Sequence, residues 1–383
     1  MSRYPGTNTL LPLLRKLSES LGKHRAECEL RWLIKHAREN IGASISTHQH
    51  TPAMSTGSMT SWVRRDLPEQ WTDEIQRDND QLTPVQQAWL RQAISDRAER
   101  LKPLQYIIGK QHFGGVNILV RPPVPIPHWE TEEFVDQLTE VIASHTDQVS
   151  LSYMLQGLSN PRPLNILDAC TGSGCVALAL GHVLAEKSVR ILGVDISDDA
   201  LQLAMDNLAF NQMLLGNRIQ FAKVDLQQPV HMLPEQLRFA DEEVSAGWDM
   251  IVANPPYVTP SQYRNMDAGT REWEDIRALV PFPPGTTDPH NVPSEDLDPS
   301  GMSFVVQLAK LARELGLASR DRGEYLSVCS DFPPPLLPRL VVEIGSPEQA
   351  QSARQIMHDH GLNLTEVWKD MNEVELAVAG YFK

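Results

Sequence analysis

Residues 164–175 read Leu164-Asn-Ile-Leu-Asp168-Ala-Cys170-Thr-Gly172-Ser-Gly174-Cys175. A short apolar run ends on an acid, passes two closely spaced glycines and opens into Val176–Leu184, which reads as a helix. In a parallel α/β sheet this order presents backbone N–H groups to a ligand. Glycine lets the chain approach closely, and the first-turn amides of the helix point into the same space. Asp168, Cys170, Thr171, Gly172, Ser173 and Gly174 are therefore candidate ligand contacts. The turn is not the dinucleotide fingerprint GxGxxG, and the chain holds no GxxxxGK[ST] phosphate loop. Taken alone, it reads equally well as an ordinary tight βα turn.

Downstream the pattern alternates. Val189–Asp195 predicts a strand, Asp198–Asn211 a helix, and Ile219–Val224 and Trp248–Ala253 two further strands. Ser303–Leu317 predicts a helix, Leu340–Ile344 a strand, and Val367–Lys369 with Glu373–Tyr381 a closing strand pair. Such alternation predicts an α/β fold, a mostly parallel sheet covered by helices. Two stretches interrupt it and read as surface insertions. Residues 281–300 hold six prolines among Asp288, Glu295, Asp296 and Asp298, and residues 318–338 end in Pro333-Pro-Pro335 and Pro338.

Upstream, residues 8–40 predict helix from Leu10, Leu13, Leu14, Leu17 and Leu21, then Ala26, Leu30, Leu33 and Ile34. Residues 41–61 read as a loop. Helical patterning returns at Trp62–Trp71 and Thr83–Arg100, where Thr83-Pro84 has the form of an N-cap before an N1 proline. Phe113, Val116, Ile118 and Val120, among glycines and before four prolines, predict a β-hairpin. Residues 130–142 read as helix and 143–163 as a polar linker. The chain thus divides into a helical domain (1–102), a hairpin linker (103–127) and an α/β domain (128–383).

Composition bounds the function. The 383 residues carry 34 basic and 49 acidic side chains, a net charge of -15. Residues 1–110 have a balance of +4 and residues 111–383 one of -19, so the larger part repels a phosphate backbone and direct nucleic-acid binding is not expected. Mean hydropathy is -0.30, and no apolar run reaches the ~18 residues of a membrane span. Cys28, Cys170, Cys175 and Cys329 form no CxxC pair, which suits a reducing compartment. His48 and His50 sit in a Ser/Thr-rich stretch and read as loop residues, so no metal is expected. The N-terminus lacks the apolar core of a secretory signal. Its first 18 residues are basic and free of acids, which fits a mitochondrial presequence as well as the start of a helix.

Two further signals follow the glycine turn. Asp195 ends the next strand, where an acid can accept both hydroxyls of a ribose; Ser197 competes for the N-cap of the following helix. Asp225-Leu226, at the end of the third strand, would flank an adenine. A nucleoside across the strand ends without a pyrophosphate fingerprint favours an adenosyl sulfonium. The other signal is Asn254-Pro255-Pro256-Tyr257 after the fourth strand. Its prolines stiffen the turn and remove backbone donors. An Asn side-chain oxygen and a proline carbonyl can each accept one N–H of a planar NH₂, and a tyrosine ring can stack on it.

These motifs resemble class I S-adenosylmethionine-dependent methyltransferases that modify a planar nitrogen. Pro103-Leu-Gln-Tyr-Ile-Ile-Gly109, Phe113-Gly-Gly and Pro125-Ile-Pro127-His-Trp-Glu130-Thr-Glu132 narrow the resemblance to HemK/PrmC-type N(5)-glutamine methyltransferases of peptide-chain release factors, as do Arg271–Leu279 and Val342-Glu-Ile-Gly345. The resemblance implies a Rossmann-like, mostly parallel seven-stranded sheet with a small helical N-terminal domain that docks the substrate. It implies S-adenosyl-L-methionine as cofactor and a class I peptide chain release factor as protein partner. Asn254, Pro255 and Tyr257 are then catalytic, with Pro256 beside them at the substrate, and Asn254 also borders the cofactor with Asp195, Asp225 and Leu226. The insertions resemble those of a eukaryotic, fungal mitochondrial member, so a mitochondrial location is expected, with a cytoplasmic one as the alternative. His128-Trp129 replaces the family's Arg-Pro, removing a fixed positive charge. Adenine-N6 methylation of nucleic acid by the same turn, and an inactive cofactor-binding scaffold, stay open as alternatives.

Overall fold

The computed structural model describes residues 10–42, 78–155, 161–215, 218–240, 247–286, 288, 292–293, 297–316 and 336–382. His48, His50, the patterning at 62–71, Cys329 and most of 318–338 lie outside the described residues. The chain divides into two compact units, residues 1–110 with 267–273, and residues 111–266 with 274–383.

The first unit packs α1 (Leu10–Leu21), α2 (Lys23–Asn40) and α3 (Pro84–Glu99). The continuous helix expected over 8–40 is two helices, because Gly22 takes φ 81 between them. Leu17, Leu30, Leu33, Ile34, Leu90 and Ile94 form the core. Thr83 caps α3 as expected, its hydroxyl accepting from Gln86 N while the Gln86 side chain accepts from Thr83 N. Inside this unit the Arg97 guanidinium donates to both oxygens of Glu29, at 2.6 and 3.0 Å. The short α4 (Leu104–Ile108) follows. The unit is completed by a helical piece from far downstream. Trp273 Nε1 donates to Arg100 O at 2.9 Å, and the Lys102 ammonium stands 5.2 Å from the Trp273 ring centre.

The second unit starts within a hairpin of β1 (Lys110–Phe113) and β2 (Val116–Leu119), from Gln111 onward. It is narrower than the expected 103–127, since Leu104–Ile108 is helical. Next, α5 runs Trp129–Leu155. The linker expected from residue 143 is wrong up to 155. The Thr139, Thr146 and Ser152 hydroxyls donate back to the carbonyls of Val135, Ile142 and Gln148, so their polarity is absorbed within the helix. Ile142 and Val149 continue the buried face.

Then follow β3 (Leu164–Ala169), α6 (Cys175–Val183), β4 (Val189–Asp195), α7 (Asp198–Asn211), β5 (Ile219–Lys223) and α8 (Leu233–Ala240). After β6 (Met250–Ala253) come short helices, α9 (Ser303–Glu314), β7 (Leu340–Glu343), α10 (Pro347–Asp359), β8 (Leu364–Lys369) and β9 (Glu375–Tyr381). The seven-stranded sheet has the order β5-β4-β3-β6-β7-β9-β8. Neighbours from β5 to β7 are parallel, and β9 runs antiparallel to both β7 and β8. This is the Rossmann-like class I architecture. Every residue of β3, β6 and β7 is buried, and each aliphatic side chain there contributes about 1.5–3 kcal/mol. The insertion expected at 281–300 is not wholly on the surface. Phe282 is buried, and its carbonyl accepts from Gln227 Nε2.

Strand order reverses at β3, with β4 on one side and β6 on the other. In open α/β sheets ligands bind outside the strands' carboxyl ends at such a switch point. Ala169 pairs with Val194 and with Ala253, and Ala253 pairs with Val342. The register therefore brings Cys170, Asp195, Asn254 and Glu343 to neighbouring strand ends.

Candidate active site

The turn between β3 and α6 is braced from beneath. Asp168 is buried, and its Oδ2 accepts from Thr171 Oγ1 at 2.6 Å and Ala177 N at 3.2 Å. Burial pushes its carboxyl up to about 7, and Thr171 and Ala177 oppose the rise. Thr171 and Ser173 are buried as well. Asp168, Thr171 and Ser173 thus shape the turn, whereas Cys170 and Gly172 form its left-handed crest at φ 61 and 55. A Cβ on Gly172 would meet nothing within 4 Å, so open space lies over it. One on Gly174, at φ 79, would lie 2.8 Å from the Phe221 ring and 3.1 Å from Ala204 Cβ.

Asp195 ties this crest to the next strand. Its Oδ2 accepts from Gly172 N and its Oδ1 from Ser197 N, both at 2.9 Å. Ser197 takes the N-cap of α7 by accepting from Ala200 N, so Asp195 is not spent on that helix. Asp225 sits in a side-chain turn that accepts from Gln227 N and Gln228 Nε2. The Leu226 side chain belongs to the core under the sheet.

Asn254 leaves the end of β6 and donates from Nδ2 to Thr131 Oγ1 at 3.1 Å. Thr131 lies in the first turn of α5 and is 2% exposed. Pro255 and Pro256 are buried. The Tyr257 hydroxyl donates to Glu343 Oε1 at 3.0 Å, its carbonyl accepts from Gln349 Nε2, and its ring lies against Gly345. The sequence pointed to a ring over a substrate; the structure adds an anchor at the hydroxyl. Glu343 is 3% exposed, and burial, with Glu130 adding to it, pushes its carboxyl up to about 7. Glu343 Oε2 and Glu130 Oε2 are buried without a well-formed partner.

The loop at Pro125–His128 is held without the arginine that the resemblance led one to expect. Gln111 Nε2 donates to Pro127 O at 2.6 Å, and Glu274 accepts from the Ile126 backbone. His128 stands half-exposed, 3.9 Å from Glu130. Thr131 and Glu343 lie within Pro125–Glu132 and Val342–Gly345, but the sequence alone assigns neither a role. Only their juxtaposition with Asn254 and Tyr257 shows one. No cluster of His, Cys, Asp or Glu among the described residues could hold a metal.

The family model for ribosomal protein L11 methyltransferases (PrmA) matches residues 144–254. Several homologues of the chain are named release factor glutamine methyltransferases. It is 32% identical over 219 residues to that of Bacteroides thetaiotaomicron, covering 57% of this chain and 61% of the relative. For that of Fusobacterium nucleatum the values are 26% over 281 residues, 73% and 60%. The mitochondrial MRF1 N(5)-glutamine methyltransferase MTQ1 of Saccharomyces cerevisiae is 31% identical over 179 residues, 46% of this chain and 49% of the relative. The chain therefore spans less than two thirds of the length of each of these relatives. Among solved structures, the N-terminal domain of human METTL16 in complex with SAH aligns at TM-score 0.40 and 13% identity, covering 78% of this chain and 82% of that one.

Proposed function

We propose that this chain transfers a methyl group from S-adenosylmethionine to the side-chain amide nitrogen of the glutamine in the Gly-Gly-Gln loop of a class I peptide chain release factor. The observation that carries the reading is Asn254. Its NH₂ is given to Thr131, which leaves Oδ1 as an acceptor beside the Pro255 carbonyl, at the strand ends that also hold the glycine crest. The named relatives support the substrate, and the mitochondrial name of the yeast relative supports a mitochondrial release factor as the target.

The residues fit the cofactor. The space over Gly172 admits close approach of a ligand to the backbone. The Asp195 carboxylate, already oriented by two backbone amides, keeps lone pairs for ribose hydroxyls. When bound, S-adenosylmethionine supplies an electrophilic methyl group. Asn254 Oδ1 and the Pro255 carbonyl accept the two N–H groups of a planar amide, hold it in one orientation and favour positive charge developing on its nitrogen. The amide proton becomes acidic only after transfer, so no strong base is required beforehand. Tyr257, fixed by Glu343, supplies a rigid aromatic wall.

The test is tritium transfer from labelled S-adenosylmethionine to a purified mitochondrial release factor, to its Gln→Glu loop variant and to DNA. Label is expected on the glutamine protein alone, since a glutamate has no NH₂ to present. Labelling of the Glu variant or of DNA would overturn the reading.

A further inference from the structure

We infer that Thr131 and Glu343 form a relay that fixes which way round the Asn254 amide points, and are thereby positioning residues for transfer; the inference rests on the function proposed above. The oxygen and nitrogen of an asparagine amide occupy nearly equivalent positions, so its hydrogen-bond partners decide its orientation. With Oδ1 toward the substrate, Asn254 accepts an N–H. Turned over, it offers a second NH₂ to a substrate NH₂, and the pair repel.

Thr131 alone cannot decide between the two, because a hydroxyl both donates and accepts. Glu343 breaks the tie. Its Oε1 takes the Tyr257 hydroxyl. Its Oε2 is buried without a well-formed partner, and the Thr131 hydroxyl and the Asn254 side chain both stand beside this carboxyl, where each favours the charged form. A carboxylate only accepts, so the Thr131 proton turns to Glu343. Lone pairs of Thr131 Oγ1 then face Asn254, as does the Glu343 carboxylate itself, and both select Nδ2, the atom that lies 3.1 Å from Thr131 Oγ1. Thr131 is 2% exposed and Glu343 3%, so bulk water does not compete for these bonds.

Protonation undoes the relay. A neutral Glu343 becomes a donor, and Thr131 can then give its own proton to Asn254 Oδ1. The groups facing Glu343 are Thr131 and Glu130 of α5, Asn254 and Tyr257 after β6, and Cys175 of α6. Glu130 repels the carboxylate, and the Cys175 thiol, pushed up to about 12, stays neutral. The carboxyl titrates at about 7, so turnover rises with pH through that region.

The experiment pairs kinetics with a readout that needs no substrate. In the full-length protein, Thr131→Val should lower kcat/KM for the release factor roughly 10- to 100-fold at unchanged cofactor affinity, and Thr131→Ser should restore it to within about threefold. Glu343→Gln should flatten the pH profile. In parallel, nitrogen-15 spectra of asparagine-labelled protein should show the Asn254 side-chain signals moving with pH near 7, and this movement should vanish in Thr131→Val and Glu343→Gln. Side-chain signals indifferent to pH, or a serine variant as impaired as the valine one, would overturn the relay. If the signals track Glu343 while the wild-type chain labels no release factor, the relay stands and the proposed substrate falls.

Discussion

Alanine placed at Gly172 and, separately, at Gly174 should divide binding from folding within one turn. Both glycines are left-handed, at φ 55 and 79, and a Cβ in that region costs about 1–2 kcal/mol. At Gly172 the new methyl meets nothing within 4 Å, so the stability loss stays near that figure. At Gly174 it presses to 2.8 Å from the Phe221 ring and 3.1 Å from Ala204. Overpacking of this kind adds about 1–3 kcal/mol. Gly174→Ala should therefore lose roughly 2–5 kcal/mol, a large share of the ~5–15 kcal/mol that holds a protein folded. The Gly172 methyl instead fills the space assigned to S-adenosylmethionine and should weaken its binding at least about tenfold, or ~1.4 kcal/mol. Denaturant melts and titration calorimetry on the two variants read both quantities. Wild-type cofactor affinity in Gly172→Ala, or equal destabilisation of the two variants, would refute the reasoning.

Asn254→Ala should lower turnover on the order of 10²–10³ at near wild-type cofactor affinity; single-turnover rates measured beside thermal melts check this, and loss of rate strictly in parallel with loss of fold would argue against it. Stability should also depend on pH through Asp168, Glu274 and Glu343, which burial raises to about 7 from 3.8, 4.5 and 4.5. Between roughly pH 4.5 and 7 the folded chain keeps protons that the unfolded chain releases, so these groups cost stability as pH rises. Urea melts should show the wild type losing ground to Glu343→Gln between about pH 4.5 and 7; the opposite slope would contradict the assignment.

What was legible in the sequence is what local chemistry dictates. Thr83-Pro84 announces a helix start, and the glycines of the β3–α6 segment mark a tight turn, because a few adjacent residues suffice for each; the left-handed Cys170 is not announced in the same way. The helix Asp198–Asn211 falls where its pattern placed it. α10 gives a weak signal because its buried stripe is small, mostly Ala350, Ala353 and Met357 on a polar segment. The end of α5 is not legible because hydroxyls that bond to their own helix look like linker residues. In the site, the Asn254–Thr131 contact joins residues 123 positions apart, and Tyr257–Glu343 joins residues 86 apart. No spacing rule links such partners; only the strand order brings them together.

The first unit is not one continuous stretch of chain, since Asp267–Trp273 belongs to it although it is encoded within the second. Cutting the gene after residue 110 would not excise a module. It would leave Trp273 without the carbonyl of Arg100 and the ammonium of Lys102, and would bare an indole on the remaining fragment. A graft of a foreign N-terminal region would have to bring its own matching seven residues, inserted far downstream. A single crossover at residue 110 would exchange Arg100 and Lys102 while leaving Trp273 behind, so the indole would meet a foreign partner.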